Sequence, residues 1–205
     1  MLHILYNLRI VGLIETMDSK TRNRMFLGIA TLVVLITPVA AYAASFLDIR
    51  SAIVHTTSDK VDRANMATKE TIPTDGSSGA FGYGIATGDS IIVTTTHKGV
   101  LDSAAQNGNP NNPIFHNHYV HLGNDAQHCG SSPVVTAITF AKTGDVTVAN
   151  SGIIIKNLPK TSDGLSQNNN VGPVVSFTLR VVHDNNLNKD FVCVDNIHTF
   201  PRVVQ

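Results

Sequence analysis

PVVSFTLRVVH, residues 173–183, reads as a strand with one covered face. Val175, Phe177, Leu179 and Val181 occupy alternate positions, with Ser176, Thr178 and Arg180 between them. Successive side chains of a strand point to opposite faces, so this is the pattern of a half-buried antiparallel strand. The same grammar continues on either side. SIIVTTTH (90–97), IFHNHYVHL (114–122), VVTAITF (134–140), DVTVA (145–149), GIIIKNL (152–158) and DFVCVDNI (190–197) are short β-prone runs, separated by turns such as KTG and NSG and by the loops QNGNPNNP and PKTSDGLSQNNNVG. Strands at this spacing, with no helical periodicity between them, make a single all-β domain, a Greek-key β-sandwich or barrel of seven to eight strands. Only SDKVDRANMATKE (58–70) suits a short helix, and GSSGAFGYGIATG (76–88) reads as a loop or a glycine-spaced strand.

The N-terminal fifth has a different composition. A basic KTRNR (20–24) precedes the uncharged run FLGIATLVVLITPVAAYA (26–43), which closes on Ala41-Tyr42-Ala43. That order is the signature of a secretory signal, cut near Ala44; the alternative is an uncleaved membrane anchor through residues 26–44. Residues 1–16 look superfluous beside a start at Met17. The expected organisation is therefore a signal or anchor over 1–43 and one β-domain over 44–205. Either reading places the domain outside the cytoplasm, secreted or held at the cell surface.

From Ala44 the chain carries 11 Lys and Arg against 13 Asp and Glu, and it has no tryptophan. Without a basic face or interleaved aromatics, no nucleic-acid partner is expected. Two cysteines, Cys129 and Cys193, read first as a disulfide in an oxidising compartment, with two thiols serving a metal as the alternative. Glu70 is the sole glutamate after the signal and no G-x-S-x-G elbow is present, so neither paired-carboxylate nor serine-triad catalysis has a footing.

The chemistry sits in FHNHYVHLGNDAQHC (115–129), where four of the chain's nine histidines fall. His116 and His118, at i and i+2 on a strand, share a face and can lean onto one ion. His121 has the wrong parity unless the strand bulges, and His128 lies in a loop beside Cys129. Imidazole suits copper, zinc, iron and nickel; outside the cytoplasm, with no carboxylate beside the H-x-H, copper is favoured and zinc comes second.

IFHNHYVHLGNDAQHCGSSP resembles the Gly-Phe-His-x-His-x-Phe-Gly-Asp stretch of copper/zinc superoxide dismutases. LRVVHDNNL (179–187) is similar to that family's Val-Val-His segment, and DFVCV (190–194) to its last strand cysteine. The resemblance implies a Greek-key barrel, copper on His116, His118 and His183, a Cys129–Cys193 disulfide, and superoxide dismutation by cycling copper. The chain departs from the family in three places. No histidine lies between His128 and His183, so the zinc ligands have no counterparts, and His121 or His128 is left to complete a copper site. Asn117 takes a position usually apolar. Asp190 stands where the family has an anion-steering arginine. Copper storage or delivery is the neighbouring expectation, and a non-catalytic adhesive or structural surface domain is the competing one.

Overall fold

The computed structural model describes residues 44–96 and 113–205. The expected signal or anchor, the end of the run at His97 and most of the QNGNPNNP loop lie outside the described residues. The architecture is all-β. After a 3-10 turn at Ser45–Leu47 come β1 (Ile49–Thr56), β2 (Val61–Thr68), β3 (Phe81–Ala86), β4 (Ile91–Thr96) and β5 (His116–Asn124). A one-turn helix α1 (Ala126–Cys129) leads to β6 (Pro133–Ile138), β7 (Asp145–Ala149) and β8 (Gly152–Lys156). The two-residue strands β9 (Thr161–Ser162) and β10 (Leu165–Ser166) form a small hairpin. The long β11 (Val174–Asp184) and β12 (Lys189–Phe200) precede β13 (Val203–Val204).

Six strands close into a barrel in the order β11-β12-β6-β5-β4-β3, and a second sheet runs β13-β1-β2-β8-β7. The outer face of β3, β4 and β5 packs on that second sheet. Phe81, Tyr83, Ile92, Phe115 and Tyr119 from the barrel meet Val54, Val61, Ala64, Met66, Ile153 and Ile155 in one core. A smaller cluster, Val93, Val120, Phe177 and Val194, fills part of the barrel interior. Each barrel strand near the second sheet therefore has two covered faces, and the fold is at once a barrel and a sandwich.

Alternation over Val175–Val181 holds as read. Val175, Phe177 and Leu179 pack toward the barrel interior, while Arg180 is exposed. Ser176, on the outer side, is nevertheless buried, because the core under the second sheet reaches that end of β11. The glycine-spaced stretch is strand β3, and its glycines are steric necessities. A Cβ at Gly82 would stand 2.6 Å from the Thr94 carbonyl and 2.9 Å from Phe177 Cζ.

The helix expected within 58–70 is not formed; those residues are mostly β2, flanked by β1 and β8. Its inward residues, Val61, Ala64, Met66 and Thr68, include two with weak strand preference, and Asp62, Arg63 and Lys69 suggest a solvated helix. Pairing on both sides decides the matter, since strand preference is largely a property of neighbours. β1, with Ala52 and Val54 buried, likewise draws its strand conformation from its partners β2 and β13.

Candidate metal centre and barrel seam

β5 carries the H-x-H as expected, with both side chains directed to the barrel side. His118 is fully buried and His116 partly so. Their cross-strand partners on β4 are Val93 and Thr95, both of which line the barrel interior. The two rings meet edge to face, with centroids 4.7 Å apart. His118 Nδ1–H donates to the Thr139 carbonyl at 2.7 Å, and His116 Nδ1–H donates to the Ile114 carbonyl at 2.9 Å. A carbonyl can only accept, so both imidazoles are held in the tautomer with the lone pair on Nε2. This is the arrangement by which backbone carbonyls commonly orient metal-binding histidines.

Thr139 is the part of this arrangement that the sequence did not disclose. It is fully buried just beyond β6, its hydroxyl accepts from Tyr119 N–H at 3.0 Å, and its own N–H donates to the Tyr119 carbonyl at 3.0 Å. The carbonyl that steers His118 is thereby fixed by β5 itself. Nothing in an isolated threonine after an apolar run announces such a role.

The other three candidate histidines have different surroundings. His121 is exposed and precedes the register shift between His121 and Leu122, so the bulge does not turn it to the face of His116 and His118. His183 Nδ1 donates to Asp190 across the β11–β12 pair at 2.7 Å. His128 stands between two carboxylates, Nδ1 at 2.8 Å from Asp125 and Nε2 at 2.9 Å from Asp184. With both nitrogens donating, the ring is an imidazolium and has no lone pair for a metal. Among the described residues, no three or more His, Cys, Asp or Glu side chains group together in a way that could hold a metal ion.

His128 belongs instead to the closure of the barrel. β6 and β12 share one register pair, Cys193 with Val134. Around that pair, α1 is fastened onto β11 and β12 by several side chains. Cys129 and Cys193 are joined in a disulfide with Cα atoms 5.5 Å apart, so neither serves as a thiolate. The His128 ring stacks on Phe191, centroids 3.7 Å apart and planes within 6°. Ser132 donates to Asp195, which also accepts from Arg180 Nε at 2.8 Å. The hydrogen bond to Asp184, then that to Asp125, raises the His128 pKa above its ordinary value, and His128 in turn lowers those of Asp184 and Asp125.

No family model, curated protein or solved structure matches the chain. The disulfide fits an oxidising compartment, and no helix among the described residues is long and apolar enough to cross a membrane.

Proposed function

We propose that the protein is an exported copper-binding β-barrel, in which His116 and His118 supply the protein ligands from the inner side of β5. The observation that carries this is the paired orientation of the two imidazoles, rings 4.7 Å apart and each Nδ1 tied to a backbone carbonyl. Both Nε2 atoms are buried, and a nitrogen site sheltered from water suits copper, with zinc second. Two imidazoles match the low coordination number that Cu(I) accepts, which favours holding or handing on copper over turnover. Superoxide dismutation is the weaker form of the reading, because Asp190 stands where the copper/zinc superoxide dismutases carry their anion-steering arginine and the ligands of their zinc site have no counterparts here.

The experiment is competition of the purified protein against a chromogenic Cu(I) chelator and, separately, titration with Cu(II) and Zn(II). One equivalent of Cu(I) held at sub-micromolar Kd, and lost in both His116→Ala and His118→Ala, supports the site. Absence of binding, or binding that survives both substitutions, returns the chain to a non-catalytic exported surface domain.

A further inference from the structure

The barrel interior is not filled. A cavity of about 640 Å³ runs through it, lined by residues of all six strands. Its polar side chains are Thr95, Lys189, Asp190 and Thr199; the rest of the lining is apolar. On β3 the inward positions Gly82 and Gly84 are covered by Phe177, Thr95, Val175 and Ile91, and of that strand only Ala86 reaches the cavity wall. Leu122, Val135, Ile138, Val175 and Leu179 point into the same space and remain only partly buried. Leaving that much inward apolar surface within reach of water forgoes roughly 25 cal/mol per Å².

The single-pair seam supplies an entrance. Beyond Cys193–Val134, β6 pairs only with β5 through Val135 and Ile138, and β12 pairs only with β11 through Lys189 to Val192. Along this stretch the cavity is lined by Val135 and Ile138 of β6 and by Val192 of β12, with the exposed Lys189 and Asp190 at the start of β12. Asp190 is engaged by His183 at 2.7 Å. Lys189 lies 5.0 Å over the Phe191 ring and forms no ion pair with a carboxylate among the described residues.

We infer that the barrel takes the hydrocarbon chain of a single-chain carboxylate amphiphile, entering between β6 and β12 with its carboxylate at Lys189. The cavity volume falls in the range of roughly 300–1,000 Å³ that holds small ligands. A polar body would be desolvated against aliphatic walls without partners, which is costly, whereas an alkyl chain gains from the same walls. The charge of Lys189 selects an anionic end, and the seated chain covers apolar surface that the folded protein leaves open. Val93 and Thr95 border both this cavity and the copper ligands, so the titration below uses the metal-free chain and reads chain binding apart from copper binding.

The test is calorimetric titration of the metal-free full chain with decanoate and with 1-decanol. Residues 44–205, which fall within the compact unit Ala43–Gln205, are run in parallel to separate binding by the apolar run at 26–43. One decanoate per chain is expected for both samples. Val135→Trp, which fills the cavity from β6, is expected to weaken binding at least tenfold, and Ala86→Leu, from β3, serves if that variant does not fold. Lys189→Met should weaken decanoate about two- to fivefold, as an exposed ion pair does, and leave decanol unchanged. No saturable binding by residues 44–205, full binding in a folded cavity-filling variant, or equal loss of both ligands in Lys189→Met would each overturn the assignment.

Discussion

Replacing both cysteines, Cys129→Ala with Cys193→Ala, is the most informative perturbation of the fold. The bond joins residues 64 apart, and in the chain-entropy description closing a loop of that length stabilises by ~4 kcal/mol. That is about a quarter or more of the 5–15 kcal/mol that ordinary domains have. The native side of the balance adds to the effect. The strands that the bond staples share only Cys193–Val134, so the barrel's closure otherwise rests on His128, Phe191, Ser132 and Asp195. Urea unfolding followed by far-ultraviolet circular dichroism, at one pH and protein concentration, measures the loss as a shift in midpoint at constant slope. We expect a loss of about 3–4 kcal/mol, with increased binding of an apolar dye because the seam loosens before the whole domain opens. A loss below ~1 kcal/mol, with dye binding unchanged, would refute the view that the bond holds the barrel shut.

Other expectations follow from single residues. Because the His128 pKa is raised, its contribution to stability is complete below about pH 6.5 and disappears as pH rises through the raised value; Asp125 and Asp184, with lowered pKa values, lose theirs only in acid. Thermal melts of His128→Gln between pH 5 and 9 should therefore show a smaller decline on the alkaline side than the parent protein shows. Gly82→Ala forces a Cβ against the Thr94 carbonyl and Phe177, and chemical denaturation should register a loss of about 1–3 kcal/mol. Asn117 is buried with neither amide atom hydrogen-bonded, on the apolar outer face of β5; Asn117→Leu should raise stability by about 1–2 kcal/mol, and a loss instead would show that the amide is satisfied in solution.

The legible parts of this sequence were those where one strand face is apolar and the other is not. Val175–Val181 announces itself because alternation is a local property, and the H-x-H on β5 is readable for the same reason: i and i+2 share a face whatever the rest of the chain does. The cysteine pair was legible as a disulfide because an even pair follows an expected secretory signal. β1 and β2 were not, because a strand with alanine, asparagine and charged residues draws its stability from β8 on one side and a barrel on its face. The Thr139 carbonyl behind His118, and the two carboxylates around His128, are tertiary facts. Asp125 and Asp184 are far apart in the chain, and only closure of β11 and β12 onto α1 brings them to one imidazole. The cavity was hidden for a similar reason. Glycines in a strand suggest a close approach, but an empty interior requires that all six strands be counted together.

The central claim is that two imidazoles on β5 hold copper. Crystals of the protein grown with one equivalent of copper, with diffraction recorded on both sides of the copper absorption edge, test it directly. The account predicts a single anomalous peak at bonding distance from Nε2 of both His116 and His118, absent from His118→Ala crystals. A peak on His121 or His183 alone, or none at stoichiometric copper, would contradict it.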